Sequence, residues 1–206
     1  MLADVKILQT LPNRELTSGW AEAIKHGLIL DKDLLTYFEE NRESILSIDN
    51  EFTVEFIKKS IAVKAGIVSK DEKETLGLRM LLNYGHTIGH AIEVVTGYKR
   101  FLHGEAVSIG MMGAAYISNG MGILSQAEVD CQRKIIESIG LPTCYGQNVD
   151  IVAVNQAMRA DKKISNRAIR WVLLNEIGSA VLRDDVPDEL VQTALRDLMC
   201  VKPGNL

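Results

Sequence analysis

The strongest constraint on the fold of this chain is an uncharged run at residues 106–127. A span of about 20 apolar residues is long enough to cross a bilayer as a helix. This run, however, contains four glycines and has no flanking cluster of lysine or arginine, and both features argue against a membrane span. Because small residues let neighbouring helices approach closely, the run predicts a buried helix within a helical bundle.

Composition limits the classes of function. The chain has 206 residues, of which 47% are hydrophobic, so it can bury a core of its own. The formal charge of −4 offers no basic surface for nucleic acid, and the N-terminus lacks the apolar run of a signal peptide. Three widely spaced cysteines without a CxxC pair, Cys131, Cys144 and Cys200, favour a reducing compartment over a disulfide framework. We therefore expect a cytoplasmic protein that binds neither nucleic acid nor membrane.

Capping signals and hydrophobic periodicity predict that most of the chain is helical. Thr17 or Ser18 can cap a helix that ends near Leu30, and Asp31 can cap a second helix that ends near Glu40. A third helix is predicted after Asn50 because apolar residues follow at three- and four-residue steps. The stripe that they form comprises Val54, Ile57, Ile61 and Val68, with Lys64 on the same face.

Later signals complete the predicted fold. Ser125 and Glu128 form a capping box before a helix that ends near Gly140, a further helix covers residues 151–159, and Pro187 begins the last one. Convincing strand patterns occur only at residues 170–174 and 180–182. The predicted fold is therefore mainly α, a multi-helical bundle with one short β-hairpin at about residues 169–183.

Three of the four histidines lie in two short glycine-containing segments, residues 83–90 and 102–105. On a helix, His86 and His90 stand at i and i+4 and project from one face, a spacing that suits two ligands of one divalent ion. A third donor can come from His103 or Glu22. Taken alone, such a histidine pair is more often an ordinary part of a helix than a metal site.

Two glycines near His86, and a second pair of possible metal ligands, leave further interpretations open. Gly85 and Gly89 bracket His86, and each costs about 0.8–1 kcal/mol relative to alanine in a helix. Either a ligand or a second helix must therefore approach this backbone closely. Glu22 and His26 also stand at i and i+4, so they form either a competing ligand pair or part of a solvated face. Spacing does not choose between these alternatives.

Several cations lie in or near these segments and can bind a polyanion if they converge in space. They are Lys25, Lys64, Arg79, Lys162 and Lys163. Taken singly, Lys64 is more often a side chain that lies along apolar surface with its amine in water. The pair of lysines at residues 162–163 is, by itself, more often part of a surface loop.

Five segments together resemble the 3-dehydroquinate synthase family, in the family order and at nearly the family spacing. They are residues 19–29 (GWAEAIKHGLI), 71–79 (DEKETLGLR), 82–93 (LNYGHTIGHAIE), 102–107 (LHGEAV) and 161–163 (DKK) with the hairpin that follows. The resemblance covers essentially the whole chain. It implies that residues 1–206 are the C-terminal, metal- and substrate-binding domain of this family, without the N-terminal NAD-binding α/β domain.

The resemblance implies a zinc or cobalt site with one carboxylate and two imidazole ligands. These fall on Glu22, His86 and His103, and His90 is then not a ligand. A catalytic zinc with three protein ligands keeps one position open for substrate or water.

The resemblance also implies a substrate, 3-deoxy-D-arabino-heptulosonate 7-phosphate, with two anionic ends. Lys64 and Arg79 match positions that hold its carboxylate and hydroxyls, and a second set matches positions around its phosphate. That second set comprises Lys25, Asn83, His90 and Lys162. The implied catalytic residues are Lys64, Arg79, Asn83 and His90.

The implied reaction is the zinc- and NAD-dependent cyclisation of this substrate to 3-dehydroquinate, a lyase step of the shikimate pathway to chorismate and the aromatic amino acids. NAD transiently oxidises one alcohol, phosphate is eliminated, the ketone is reduced, and the ring opens and recloses on carbon. Zinc polarises the alcohol and ketone as a Lewis acid. The substrate's own phosphate carries much of the proton transfer, so the protein mainly positions reactive groups.

Two other interpretations stay open. One is a related sugar-phosphate cyclase of the sedoheptulose-phosphate or deoxy-inosose type, against which Lys64, Asn83 and His90 argue because they match residues that engage the acid substrate. The other is a non-catalytic helical interaction domain with structural histidines. We also expect the chain to be inactive alone, because no GxGxxG motif or βαβ pattern precedes Thr17. The resemblance further implies a homodimer.

Overall fold

The computed structural model describes residues 4–73, 75, 77–163 and 169–199 of the chain. In chain order their elements are α1 (Asn13–Leu30), α2 (Lys32–Glu40), α3 (Arg42–Leu46), α4 (Asn50–Lys70), α5 (His86–Val95), α6 (His103–Gly120), α7 (Gln126–Ser138), α8 (Ile151–Lys163), β1 (Trp171–Glu176), β2 (Ser179–Arg183) and α9 (Asp188–Asp197). Two 3₁₀ helices, Val5–Thr10 and Leu78–Asn83, lie before α1 and α5. The prediction of a mainly α bundle with one short hairpin is confirmed.

Helix α6, which contains most of the uncharged run, forms the centre of the bundle. It packs against α1, α5, α7, α9 and β1, and most of its residues between Gly104 and Ser118 are buried. The lack of charge from residue 106 onwards follows from this position, because a buried charge without a partner is strongly unfavourable. None of the helices in the described part of the chain has the combination of length and hydropathy needed to traverse a bilayer.

Helix packing explains the glycines around His86. A Cβ atom on Gly110 of α6 would lie 1.9 Å from the carbonyl oxygen of Gly85, and one on Gly89 would lie 3.1 Å from the carbonyl oxygen of Ala106. Gly85 also has a φ of 80°, in the left-handed region that favours glycine. Of the two predicted reasons for these glycines, the structure therefore supports the close approach of a second helix.

Helix α1 begins earlier than the capping signals predicted. Its N-cap position is Pro12, not Thr17 or Ser18, and Pro12 makes no side-chain cap. In the first turn, the guanidinium of Arg14 forms two contacts of 2.7 Å with the carboxylate of Glu105 at the start of α6. A tertiary ion pair thus fixes the beginning of a helix that lacks a local signal.

The helix predicted after Asn50 is confirmed as α4, but its predicted apolar stripe is not the buried face, since Ile57, Ile61 and Val68 are only half-buried. Val54 is 46% exposed, and the cap of this helix is Asp49, not Asn50. The buried face instead comprises Thr53, Phe56, Ser60 and Ile67. The hydroxyl of Ser60 lies 2.8 Å from His26 Nδ1 of α1, so this polar side chain is satisfied inside the protein. Hydrophobic periodicity does not detect a buried face that includes hydrogen-bonded hydroxyls.

Other local signals are confirmed. The side chain of Asp31 accepts a hydrogen bond from the N–H of Leu34, and Ser125 and Glu128 form the capping box of α7. Pro187 is the N-cap residue of α9, and β1 pairs antiparallel with β2 as the predicted hairpin. The helix predicted at residues 151–159 extends further and forms α8.

The cysteines differ from the expectation in one respect. Cys131 is a free thiol, whereas Cys144 is disulfide-bonded. Because Cys144 is disulfide-bonded, it does not support the expectation of a reducing compartment.

Candidate functional site

Three donor side chains from three helices meet at one point of the bundle. Glu22 lies in α1, while His86 and His103 are the first residues of α5 and α6. The Glu22 Oε1 atom lies 3.6 Å from His86 Nε2 and 3.9 Å from His103 Nε2. All three ligand atoms lie within 4.8 Å of one another. One carboxylate and two imidazoles in this arrangement can share one divalent cation.

Each imidazole is oriented by an acceptor at its other ring nitrogen. His86 Nδ1 lies 3.2 Å from the carbonyl oxygen of Tyr84, and His103 Nδ1 lies 3.2 Å from Oε1 of the buried Glu93. Because a carbonyl and a carboxylate only accept, both Nδ1 atoms donate and both Nε2 atoms carry a lone pair. The nitrogens nearest to Glu22 are therefore the ones that can bind a metal.

The carboxylate of Glu22 has one satisfied and one unsatisfied oxygen. Its Oε2 accepts a hydrogen bond of 2.7 Å from Lys25 Nζ. Its Oε1 is buried and accepts no hydrogen bond from any residue that the structure describes. An unsatisfied buried acceptor costs about 1–3 kcal/mol, and a cation shared with the two imidazoles would remove that cost. The donor set therefore fits a divalent ion, and nitrogen and oxygen ligands of this kind suit zinc.

Local electrostatics keep Glu22 and His86 in the protonation states that bind metal. Burial would raise the pKa of Glu22, but the charge and hydrogen bond of Lys25, with smaller effects of nearby histidines, hold that pKa below its usual value. Burial, assisted by the charge of Lys25, lowers the pKa of His86 to about 4. At neutral pH the carboxylate is therefore ionised and the imidazole is neutral, as metal ligation requires.

His90 borders this cluster. Its side chain is exposed, and its ring centroid lies 5.1 Å from that of His86 and 5.9 Å from that of His103. It belongs to a second group, with Glu93 and His103, whose ligand atoms also lie within 4.8 Å of one another. The i, i+4 spacing of His86 and His90 therefore places the two rings side by side, but the carboxylate of Glu22 faces His86 and His103.

His26 lies outside both groups of ligand atoms. Its side chain is buried, and its Nδ1 lies 2.8 Å from the hydroxyl oxygen of Ser60. Burial, and to a smaller extent the charge of Lys25, lowers the pKa of His26 to about 4. The structure thus places His26 in the core as a neutral, hydrogen-bonded residue, and does not pair it with Glu22 as a ligand.

We expect the free energy of unfolding of the metal-free chain to fall as the pH drops from 6.5 towards 4. In this range the unfolded chain binds a proton at His26 that the folded chain does not, which costs up to about 1.4 kcal/mol per pH unit. His86 has a similarly lowered pKa and contributes in the same range. In urea unfolding, the His26→Asn variant should lose roughly half of this histidine-dependent slope. A variant with the wild-type slope would show that His26 is not a neutral core residue.

A cleft of about 520 Å³ opens beside the donor cluster. Its lining includes Glu22, Lys25, Lys64, Arg79, Asn83, His86 and Arg170. Lys25 is only 2% exposed and is held by Glu22, so in this structure its amine orients that carboxylate. Lys64 is exposed at the cleft. The side chain of Lys162 lies outside the described residues. Cations collected in a concave site suit a polyanionic ligand.

Arg79 is positioned by the segment between α4 and the second 3₁₀ helix. Its backbone N–H donates to Oδ2 of Asp71, which is 2% exposed, over 3.2 Å. Its Nη1 donates to the carbonyl oxygen of Glu72 over 3.5 Å. The guanidinium therefore belongs to the wall of the cleft, where the resemblance expects a group that holds the substrate.

The comparisons with known proteins agree with this geometry. A family model described as the 3-dehydroquinate synthase C-terminal domain matches residues 19–164. The chain belongs to the 3-dehydroquinate synthase family. It is 42% identical over 194 residues to a 3-dehydroquinate synthase from Thermodesulfovibrio yellowstonii, covering 94% of this chain and 54% of that relative. A 3-dehydroquinate synthase from Nostoc punctiforme is 40% identical over 200 residues, covering 96% of this chain and 55% of that relative. The chain thus spans about half the length of the curated relatives it matches.

Solved structures of sugar-phosphate cyclases share the fold. A 2-epi-5-epi-valiolone synthase from Streptomyces hygroscopicus, solved with NAD+ and Zn2+, gives a TM-score of 0.84 at 23% identity, over 95% of this chain and 54% of that one. A 2-deoxy-scyllo-inosose synthase, complexed with carbaglucose-6-phosphate, NAD+ and Co2+, gives a TM-score of 0.76 at 27% identity, with the same coverage. The helical half of these enzymes and the present chain therefore have one architecture.

Sequence reasoning did not identify three features of the site in this member of the 3-dehydroquinate synthase family. Glu93 contacts His103, the carbonyl of Tyr84 contacts His86, and Arg170 lines the cleft. A backbone carbonyl leaves no signal in a sequence. Glu93 and Arg170 are ordinary charged residues at the end of a motif and before a strand, and only the fold brings them to the site.

Proposed function

We propose that this chain is the metal-binding and substrate-binding half of a 3-dehydroquinate synthase. The activity that we assign to the whole enzyme is cyclisation of 3-deoxy-D-arabino-heptulosonate 7-phosphate to 3-dehydroquinate with release of phosphate. This is a lyase reaction of the shikimate pathway. Residues 1–206 constitute its C-terminal domain in this proposal, and NAD binding requires the part of the relatives that the chain does not span.

The observation that carries the proposal is the convergence of Glu22, His86 and His103 beside a cationic cleft. These residues are distant in sequence, and three separate helices bring their ligand atoms within 4.8 Å. The buried Glu22 Oε1 has no hydrogen bond from the described residues. A helical interaction domain with structural histidines has no need of such an unsatisfied oxygen, which costs folding free energy. The arrangement therefore favours an enzyme over a purely structural module.

The residues of the chain have different proposed roles, which follow from their positions. Glu22, His86 and His103 would hold a zinc or cobalt ion, while Lys25 fixes the Glu22 carboxylate. We propose that Lys64 and Arg79, both at the cleft, bind the carboxylate and hydroxyls of the substrate. The phosphate end is assigned to Asn83, His90 and Lys162, and not to Lys25, whose buried amine is held by Glu22. Fixing two anionic ends orients the carbon chain between them, which lowers the entropic cost of reaction.

Two groups from outside the chain supply the remaining chemistry. A divalent ion held by Glu22, His86 and His103 would supply Lewis acidity at a substrate oxygen. Bound NAD would supply the capacity for hydride transfer. The part left to this chain is to bind the anionic substrate, hold it in one orientation and keep the Glu22 carboxylate and the His86 imidazole unprotonated.

A related sugar-phosphate cyclase is the second candidate, because the structural neighbours include a 2-deoxy-scyllo-inosose synthase. Sequence identity favours the dehydroquinate assignment. The curated 3-dehydroquinate synthases are about 40% identical to this chain, whereas the 2-deoxy-scyllo-inosose synthase is 27% identical. Lys64, Asn83 and His90 also match the family positions that engage the acid substrate.

The whole enzyme's activity can be tested by joining this chain to the N-terminal half of the relative from Thermodesulfovibrio yellowstonii. With zinc, NAD and the heptulosonate phosphate, we expect the joined protein to release inorganic phosphate and form 3-dehydroquinate. We expect no release from the present chain alone, because hydride transfer needs bound NAD and we assign NAD binding to the half that this chain does not span. An Arg79→Gln version of the joined protein should raise KM for the substrate by more than tenfold, on the order of one lost charged hydrogen bond.

Two results would overturn the assignment. If the joined protein turned over sedoheptulose 7-phosphate or glucose 6-phosphate but not the heptulosonate phosphate, the chain would belong to another class of cyclase. Robust phosphate release by the present chain alone would show that the other half is not required.

We include location and assembly in the proposal. The cytoplasm is the expected compartment because NAD and phosphorylated sugar acids are intracellular metabolites. A homodimer is the expected assembly. Size-exclusion chromatography with light scattering on the joined protein tests the dimer, and a single-chain mass would contradict it.

A further inference from the structure

We propose that Glu93 is a positioning residue for His103, and that its buried carboxylate sets the affinity of the metal site. This inference rests on the proposed ligand set of Glu22, His86 and His103. Glu93 itself is not one of those ligands. Its contribution acts through the Nδ1 atom of His103, on the far side of the ring from the other two donors.

With an ion bound by the three donors, Glu93 and His103 would form a carboxylate–histidine–metal triad. Glu93 lies in α5 and is 7% exposed, and its Oε1 lies 3.2 Å from His103 Nδ1. Because the carboxylate only accepts, it fixes the tautomer in which His103 Nε2 carries the lone pair. That Nε2 atom lies 3.9 Å from Glu22 Oε1. Such an acceptor holds the ring in the ligating orientation and makes the imidazole a stronger base.

His103 needs this support more than His86 does. Its side chain is 48% exposed, compared with 13% for His86. Packing therefore restricts the ring of His86, which also donates to the carbonyl of Tyr84 at 3.2 Å. The exposed ring of His103 has fewer packing contacts, so its orientation depends on the hydrogen bond to Glu93. Burying a carboxylate without a partner is costly. The hydrogen bond from His103 is therefore needed to stabilise Glu93 in its buried position.

A separate cation site is the main alternative use of Glu93. His90, Glu93 and His103 have ligand atoms within 4.8 Å of one another. The contact of 3.2 Å between Glu93 and His103 is, however, the distance of an ordinary N–H···O hydrogen bond, and it satisfies both groups without an ion. Glu93 thus has a partner, in contrast to Glu22, whose Oε1 has none among the described residues. The hydrogen bond therefore favours the positioning role.

Zinc affinity of the full chain tests the proposal through competition with a chromogenic chelator. Glutamine at this position keeps an acceptor oxygen but removes the charge, and alanine removes both. We expect about a tenfold loss of zinc affinity in Glu93→Gln and about a hundredfold loss in Glu93→Ala. The matched control is Glu40→Gln, at an exposed position on α2, which should bind zinc as the wild type does. Thermal unfolding of the metal-free variants shows whether each one folds.

Two further readouts separate positioning from a structural effect. In ¹⁵N-edited spectra, the chemical shift of the His103 Nδ1–H proton should move in Glu93→Gln, because its hydrogen bond to a carboxylate is lost. The chemical shift of the His86 Nδ1–H proton should not change. In a His103→Ala background, Glu93→Gln should change the residual zinc affinity by less than about twofold, because its effect passes through His103.

The outcomes are distinguishable. A wild-type chain that binds no zinc would contradict the proposed ligand set itself. Zinc binding that is equal in the wild type and Glu93→Gln would overturn the role of Glu93 and leave the ligand set intact. Loss of a second equivalent of zinc only, with the first retained, would assign Glu93 to a separate site with His90 and overturn the positioning role.

Discussion

Glu22→Gln should lower the zinc affinity of this chain by more than about a hundredfold, since even residues that only orient a ligand cost 10–100-fold. Glutamine keeps the size of the side chain but offers a neutral, weaker donor to a divalent ion. It also leaves the buried amine of Lys25 without its carboxylate partner. Chelator competition measures the affinity, and circular dichroism of the metal-free protein establishes that the fold is retained.

Two comparisons make this result specific. His86→Gln and His103→Gln each remove one imidazole but leave the contact between Glu22 and Lys25 in place, and we expect a loss of similar size. His90→Gln is the matched control, because His90 borders the cluster without facing Glu22. If His90→Gln lost zinc and Glu22→Gln kept it, the ion would belong to the group formed by His90, Glu93 and His103.

Gly110→Ala should destabilise the chain by at least about 3 kcal/mol, at the upper end of the range for overpacking in a core. The added Cβ atom would lie 1.9 Å from the carbonyl oxygen of Gly85 and 2.8 Å from the backbone nitrogen of Gly89. Backbone atoms cannot rotate away as a side chain does, so α5 and α6 would have to separate. Since His86 and His103 begin these two helices, the metal site should weaken together with the fold.

Gly66→Ala provides the matched control for this prediction. Gly66 also lies within a helix, but a Cβ atom there would meet nothing within 4 Å. Alanine should therefore leave the free energy of unfolding unchanged or raise it by about 0.5–1 kcal/mol, because glycine loses more backbone freedom on folding. Urea unfolding of both variants measures the difference. A loss below about 1 kcal/mol in Gly110→Ala would mean that the two helices do not pack backbone to backbone.

Local signals predicted those parts of the fold that neighbouring residues determine. Asp31 and the pair Ser125–Glu128 cap their helices as expected, because a cap needs only residues two or three positions away. The start of α1 was not predictable in this way, since Arg14 is bound by Glu105 from another helix. The buried face of α4 was missed for a related reason, because Ser60 is buried by its contact with His26.

The sequence likewise predicted some features of the candidate site and not others. The i, i+4 spacing of His86 and His90 is visible in the sequence, and the structure does place these rings together. Spacing paired Glu22 only with His26, and Glu22 reaches His86 and His103 through the packing of α1 against α6. The family resemblance supplied that pairing. Glu93 was missed because nothing in the sequence marks which acceptor orients an imidazole.

The packing of α1, α5 and α6 connects the fold to the proposed chemistry. Close packing of glycines brings α5 and α6 together, and the rings of their first residues, His86 and His103, have centroids 5.3 Å apart. Helix α1 adds the carboxylate and the lysine that holds it. A site made from residues on helices, not on mobile loops, keeps its donors in fixed positions, which reduces the cost of organising them around an ion or substrate.

X-ray absorption at the zinc edge, on the full chain loaded with one equivalent of zinc, reports the ligands of the ion directly. We predict two imidazole ligands together with oxygen donors, and the same spectrum from the His90→Gln variant. A shell with three imidazoles, or with oxygen alone, would contradict a shared ion between Glu22, His86 and His103.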